Sequence, residues 1–425
     1  MNYEQAMDWL NGFQRFGIKL GLERIKILCE RLGNPQKNYR VVHVGGTNGK
    51  GSVCRCLGSI LTAAGYKTGV YLSPHLQRFT ERFLINDEEI SEEEIVDLVK
   101  KIKPIILEMQ KQKETPTYFE IVTAMCFQHF KNEKVDFAVI EVGLGGRFDA
   151  TNIVKPEVCV ITNVSLEHQD RLGKTIGDIA FEKAGIIKNN IPVVTGAADT
   201  GLDVIKKIAL EKKSEVITIT DDDYKRTTGN LNGQIFLIHG KIKDYNVKTK
   251  MIGEFQGFNI GLAVMAVEQL QMNGLFLTDE NIYDGVLNTS IPGRMEITSQ
   301  DPFVLLDGAH NIEGIRVLVD AIKKDFICDR LILVLGSLSD KNIREMVEII
   351  APISDVIIVT RSSNPRACNS KKLKKIVLEV VPDKEVIIRD KILDAVNYAK
   401  SISKNEDLIC VTGSLFTVAE AKNVS

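Results

Sequence analysis

The sequence predicts an α/β protein of two domains: an N-terminal P-loop ATPase-like domain built on a parallel sheet, and a smaller C-terminal Rossmann-like domain. Three observations carry this reading. Short β-branched runs alternate with longer helical patterns along most of the chain, the signature of a parallel sheet with helices on both faces. The length of 425 residues exceeds the size at which a single hydrophobic core usually keeps growing. The stretch IPGRMEI, with Pro and Gly ahead of a new strand, separates two series of such alternations. It puts the boundary near residue 293, giving domains 1–292 and 293–425.

The chain opens on MNYEQAMDWLNGF, which reads as an amphipathic helix and lacks the basic-then-apolar order of a signal peptide. VVHV at 41–44 is the first buried strand, and TGVYL at 68–72 follows after a helix. Helical patterns then occupy about 91–113 and 117–131. FAVIEV, VCVITNV and PVVTG are strands, the last two separated by a helical stretch at 175–187. Residues 215–252 are polar, turn-rich and briefly alternating, which predicts antiparallel strands, and a helix at 257–273 closes the domain. The second series consists of FVLLDGAH, LILVLGSL, VIIVT, EVIIRD and LICVTGS, again interleaved with helices.

Hydrophobic residues at 44% and charged residues at 26% are the balance of an ordinary globular protein. Fifty-four Lys and Arg against fifty-six Asp and Glu leave a formal charge of −2, so no global field favours nucleic acid or an anionic membrane. An anionic ligand must therefore be bound locally. No apolar run is long enough to span a bilayer. The eight cysteines are scattered without paired metal-ligand spacing, which points to reduced thiols in a cytoplasmic protein.

The strongest local signal is VVHVGGTNGKGS, a buried strand running into a glycine-rich turn and then the helical stretch VCRCLGSILTAAG. Such a turn aims backbone N–H groups and a helix dipole at one point, and Lys50 adds a mobile positive charge. Gly46, Thr47, Asn48, Gly49, Lys50, Gly51 and Ser52 are the candidate ATP-binding residues. The generic phosphate-loop pattern is missed at two positions, because Val44 stands where a Gly belongs and Gly51 where a Ser or Thr belongs.

Magnesium, the usual companion of ATP, takes a few oxygen ligands plus water. Glu141 ends the apolar strand FAVIE, at the sheet edge where α/β proteins bind ligands. His168 follows VCVITNV and could donate an imidazole, although a lone histidine is more often structural. Taken alone, Ser73 is a turn serine and Lys183 a helix-surface lysine paired with Glu182 or with solvent. Asp307 and His310 read as a strand-end acid and a turn histidine.

GTNGKGS is joined by SPHL at 73–76, TYFEIVTA at 117–124, EVGLGGRFDATN at 141–152 and FEKAGIIK at 181–188. PGRME at 292–296, DGAHN at 307–311 and GSLF at 413–416 follow. In this order, and over nearly the whole chain, these strings resemble the folylpolyglutamate synthase and dihydrofolate synthase branch of the Mur ligase superfamily. The resemblance implies a Mur-ligase-type fold with ATP between the domains. It makes Glu141 a magnesium ligand, His168 a ligand of a second magnesium ion, and Ser73 a hydroxyl ligand of the same metal site. It makes Lys183 a carbamylated lysine beside that second ion, and Arg294 a phosphate contact. Asp307 and His310 match residues near the nucleotide and the reacting phosphate. GEFQGFNIGLA at 253–263 keeps Gln256 and Asn259 for the adenine, but Phe255 and Ile260 replace the family's usual His and Ala.

The activity so implied is ATP-dependent addition of L-glutamate to a folate, or to dihydropteroate, through an acyl phosphate. The pterin would lie beside TYFEIVTA. The partners are these small molecules, with no nucleic acid or membrane, and the expected state is a monomer. Two rivals stand beside it. A ligase of another Mur branch is disfavoured by EVGLGGRFDATN. A nonenzymatic nucleotide switch would not need Glu141, His168, Lys183 and Arg294 together.

Overall fold

The computed structural model describes residues 1–17 and 19–423. The chain forms two compact units. One holds Met1–Lys225, Ile235–Thr249 and Gly257–Thr289; the other holds Arg226–Gln234, Lys250–Gln256 and the chain from Ser290 onward.

Two helices, α1 (Tyr3–Asn11) and α2 (Glu23–Arg31), precede β1 (Arg40–Gly45), α3 (Lys50–Ala63) and β2 (Thr68–Tyr71). β3 (Phe83–Ile85), β4 (Glu88–Glu89), α4 (Glu92–Lys111), α5 (Tyr118–Asn132), β5 (Phe137–Glu141) and β6 (Val158–Ile161) come next. The series continues with α6 (Gln169–Leu172), α7 (Ile176–Ala184), β7 (Val193–Thr195), α8 (Asp199–Glu211) and β8 (Val216–Thr218). β9 (Tyr224–Asn230), β10 (Gly233–His239) and β11 (Asp244–Thr249) form a separate three-stranded sheet, followed by α9 (Gln256–Met272) and α10 (Asp279–Asn288).

The large sheet has the order β4-β3-β2-β5-β1-β6-β7-β8. From β2 to β8 its pairings are parallel, and β3 and β4 add an antiparallel edge. β1, β5 and β6 lie at its centre with almost every residue buried, which is why they read as unbroken apolar runs. Their register sets Val44 beside Glu141 and Gly45 beside Ile161, so three strands end at one edge. α4 and α5 begin with capping boxes, Ser91 with Glu94 and Thr117 with Glu120, each satisfying two N–H groups that a helix start leaves open. α5 is buried from Glu120 to Phe130; its apolar residues surround the helix rather than forming a stripe, as a helix packed on all sides requires.

The span expected to be antiparallel begins later than its composition suggests. Val216–Thr218 extends the parallel sheet by pairing with β7, and the separate sheet starts at Tyr224. Ile217 is buried there, and its apolar contact outweighs the polar residues around it. In the small sheet, fully buried Glu268 of α9 accepts from Lys241 N (2.7 Å), Ile242 N (2.9 Å) and Tyr245 Oη (3.1 Å), holding the β10–β11 turn.

The second unit contains β12 (Glu296–Gln300), β13 (Phe303–Leu306), α11 (Ile312–Asp325), β14 (Leu331–Leu335), α12 (Ile343–Ile350) and β15 (Val356–Val359). It ends with α13 (Ser370–Val380), β16 (Glu385–Ile388), α14 (Ile392–Ile402), β17 (Leu408–Thr412) and α15 (Leu415–Ala421). The strand order is β12-β13-β17-β14-β15-β16, parallel except for the edge strand β12. Arg226 pairs with Asp325 of α11, and Leu231 packs on this unit's core. The tip of the β9–β10 hairpin thus counts with the second unit, a long-range association that local patterning does not encode.

Candidate active site

β1 delivers the chain to the edge where β5 and β6 also end. Gly46 (φ 136°) and Gly49 (φ 81°) adopt backbone conformations that disfavour a side chain. A Cβ on Gly46 would lie 1.9 Å from Thr162 Oγ1, and one on Gly49 would lie 2.4 Å from Asn259 Oδ1. Thr47 N donates to Asn163 O (3.0 Å) and Asn48 N to Asn163 Oδ1 (2.9 Å). Thr162 Oγ1 donates to Asn48 O (2.6 Å), and Ser165 N donates to Thr47 Oγ1 (3.1 Å). The N–H groups of Thr47 and Asn48 are thereby engaged. The first turn of α3 follows directly, and its N-cap Gly49 offers no side-chain cap for the N–H groups that a helix start leaves open. An anion placed at this turn would meet the helix start formed by residues 49–52. Lys50 Nζ lies over the loop, donating to Gly46 O (3.1 Å) and Thr47 O (2.9 Å).

Glu141 stands beside that turn: a Cβ on Gly51 would be 3.9 Å from Glu141 Oε1. Its Oε2 accepts from Ser73 N (2.8 Å). Ser73 Oγ is buried and has no hydrogen-bond partner, a state that costs about 1–3 kcal/mol unless a ligand satisfies it. A carboxylate and an open hydroxyl are hard oxygen donors that fit magnesium, which keeps several waters and needs few protein ligands. Among the described residues no group of three or more His, Cys, Asp or Glu is arranged to hold a metal, so Glu141 and Ser73 are the pair on which such a site would rest.

Lys183 is 1% exposed, and neither reading of it as a surface residue holds. Its Nζ donates to Gly46 O (2.7 Å) and to Glu167 Oε1 (2.7 Å). Glu182 is instead taken by Arg147, whose Nη2 lies 2.6 Å from Oε1 and whose N–H donates to the Glu182 carbonyl (2.8 Å). Burial pulls the Lys183 ammonium down to about 8, against the opposing charge of Glu167. Burial works against ionisation of Glu167 as well. The charges of Lys183 and Lys50, the Lys183 hydrogen bond and the charge of His168 together outweigh it and hold that carboxyl at about 2. His168 follows directly, in a left-handed conformation (φ 46°), as the N-cap of α6.

The string FDATN is locked from within. Buried Asp149 accepts from Leu144 N (2.9 Å), Thr151 N (3.0 Å) and Thr151 Oγ1 (2.5 Å), and burial raises its carboxyl. His43 Nε2 lies 2.8 Å from Thr151 Oγ1. Because that hydroxyl's proton goes to Asp149, Nε2 must be the protonated nitrogen. Burial, with a smaller contribution from Lys188, lowers His43 to about 3, so the ring is neutral. Farther along the unit, a cavity of about 390 Å³ is lined by residues including Tyr3, Met7, His75, Arg78, Phe79 and Tyr118. Arg82 Nε donates to His75 Nδ1 (2.8 Å). His75 is lowered to about 4 by burial and then by Arg82, so its Nε2 carries the proton.

In the second unit Asp307 ties two motifs together. Its Oδ2 accepts from Met295 N (2.9 Å) and its Oδ1 from Ala309 N (2.8 Å), while Gly308 N donates to Gly293 O (2.9 Å). Burial raises the Asp307 carboxyl and the neighbouring Arg294 opposes the rise. His310 Nδ1 lies 2.9 Å from Gly308 O; a carbonyl only accepts, so Nδ1 carries the proton. Gln256 and Asn259 are buried at the start of α9. Residues 162–167 and Arg147 were not singled out from the sequence. The available signal was position, since 162–167 follow a strand that ends at the same edge as β1.

Comparison with known proteins shows the family to which the chain belongs. The Mur ligase middle domain matches residues 44–267, and the Mur ligase glutamate ligase domain matches residues 293–415. The chain is 36% identical to the dihydrofolate synthase/folylpolyglutamate synthase of Bacillus subtilis, over 99% of this chain and 98% of that protein. A folylpolyglutamate synthase from Thermotoga maritima is 37% identical with a TM-score of 0.87, covering 99% of this chain and 96% of that one. The Mycobacterium tuberculosis folylpolyglutamate synthase complexed with ADP is 31% identical with a TM-score of 0.92, covering 99% and 97%. With its phosphate loop and both Mur ligase domains, the chain is an ATP-dependent ligase, and it belongs to the folylpolyglutamate synthase/dihydrofolate synthase family.

Proposed function

We propose that the chain joins L-glutamate to the free carboxylate of a reduced folate, and also to dihydropteroate, through an acyl phosphate made from ATP. The observation that carries this is the meeting, at one sheet edge, of an open helix start with Lys50 and the Glu141–Ser73 oxygen pair. An oxygen of the acceptor carboxylate attacks the γ-phosphorus and ADP leaves. The glutamate amine then attacks the carbonyl carbon, and phosphate departs with that same oxygen. Lys50 and the N–H groups of residues 49–52 stabilise the charge that moves during phosphoryl transfer. Ser73 Oγ and Glu141 would hold magnesium, which when bound neutralises phosphate charge.

His168 and carbamylated Lys183 are assigned by resemblance to a second magnesium. With its ammonium held near 8, Lys183 has a neutral fraction at physiological pH from which a carbamate can form. The new anion would face the Glu167 carboxylate, so the modification and a nearby cation should accompany one another. Arg294, Asp307, His310, Gln256 and Asn259 are assigned to the nucleotide by resemblance. The cavity beside Tyr118 supports a pterin near TYFEIVTA. One chain carries every residue named, so a monomer suffices. All eight cysteines are free thiols and seven are buried, which suits the reducing cytoplasm.

The test is ADP release with dihydropteroate, tetrahydrofolate or neither, each with glutamate. Release that requires an acceptor, and occurs with both, supports the proposal. Hydrolysis that ignores the acceptor favours a nucleotide switch.

A further inference from the structure

The loop after β6 does more than carry His168. Thr162 is fully buried, and its hydroxyl donates to Asn48 O at 2.6 Å. Asn163 binds two successive peptides of the phosphate loop, Thr47 N through its carbonyl (3.0 Å) and Asn48 N through its side-chain Oδ1 (2.9 Å). Ser165 N adds a bond to Thr47 Oγ1 (3.1 Å). Two residues farther on, Glu167 grips Lys183, and Lys183 returns to the phosphate loop at Gly46 O. The contacts close a ring around residues 46–48.

We propose that Asn163 is a positioning residue for the nucleotide, its side-chain oxygen fixing the Thr47–Asn48 peptide, next to the Asn48–Gly49 peptide that Thr162 holds, so that the first-turn N–H groups of α3 are pre-aimed at the phosphates. A loop with free peptides would have to order itself on binding. One held by Asn163 and Thr162 has met that entropic cost during folding. Asn163 Oδ1 accepts from the N–H of Asn48 and the Thr162 hydroxyl donates to the carbonyl of the same residue, so the peptides on both sides of Asn48 are held. Asn163 acts through the loop, so its effect falls on nucleotide binding and not on glutamate.

The inference rests on the ligase reading only for its kinetic arm, because ADP binding needs no acceptor. Asn163→Ala and the isosteric Thr162→Val are compared with the parent by calorimetric titration of ADP with magnesium, by the KM values for ATP and glutamate, and by thermal unfolding. Losing one such bond is expected to weaken ADP about tenfold in Asn163→Ala and several-fold in Thr162→Val. The KM for ATP should rise in parallel while that for glutamate stays within about twofold. A purely structural role would lower the melting temperature and leave the affinity of the folded fraction intact. ADP affinity within about twofold of the parent overturns the proposal, as does an equal rise in the KM values for ATP and glutamate. If Asn163→Ala does not fold, Thr162→Val decides by the same criteria.

Discussion

Replacing Glu167 by Gln keeps the shape of the side chain and removes the charge that faces Lys183. The Glu167 carboxyl is held at about 2, against 4.5 for an unperturbed glutamate. At about 1.4 kcal/mol per unit, its ionised form contributes about 3 kcal/mol. Since the folded-state value lies below the unfolded one, that stability is complete above about pH 5 and drains away as pH falls through 4.5 toward 2. In Glu167→Gln the Lys183 amine, already near 8, shifts further down and releases its proton, which limits the loss to roughly 2–3 kcal/mol. At ~2 °C per kcal/mol for a unit of this size, calorimetry at pH 7 should record a fall of roughly 5 °C. The gap from the parent should narrow toward pH 3.5. Lys183→Met leaves a buried carboxylate unpaired, so the double variant should lose less than the sum of the singles. Glu167→Gln melting with the parent at pH 7, or a strictly additive cycle, would refute the buried-pair account.

Lys50→Ala should cut ADP formation about 100-fold or more, measured by coupled assay at saturating ATP, because a charge placed over the phosphate loop is lost; substantial turnover would contradict its role. Ser73→Ala removes a buried hydroxyl that has no partner, so the melting temperature should hold or rise slightly, while the magnesium concentration for half-maximal rate rises several-fold. An unchanged magnesium dependence would remove Ser73 from the site. Gly46→Ala drives a Cβ to 1.9 Å from Thr162 Oγ1 at a positive φ; urea titration should show a loss of about 3 kcal/mol, and an unshifted midpoint would show that the loop is not so constrained.

Much of the architecture was legible because parallel strands are buried on both faces and announce themselves as apolar runs, as VVHV, FAVIE, VCVITNV and LILVL do. The phosphate loop was legible too, since strand, glycines and helix are consecutive in sequence. What it lacked was its bracing. Whether Thr47 and Asn48 keep free N–H groups depends on Asn163, more than a hundred residues away, and no local pattern reports that. Lys183 is the sharper case. By helical spacing it is an ordinary charged residue beside Glu182, yet Arg147 occupies Glu182 and the lysine turns inward to Glu167. Val216–Thr218 was obscured because a three-residue strand gives periodicity too little to work on, and the Arg226–Gln234 tip because its partner Asp325 is distant in sequence.

The central claim, an acyl phosphate formed on the acceptor, is tested most directly with oxygen-18 in the acceptor's carboxylate. Dihydropteroate or tetrahydrofolate so labelled, incubated with ATP, magnesium, glutamate and the protein, should yield inorganic phosphate carrying one labelled oxygen per turnover, read by mass spectrometry or by the phosphorus-31 isotope shift. Unlabelled phosphate released alongside the amide product would mean that the carboxylate never joined the γ-phosphorus, and the proposed chemistry would fail.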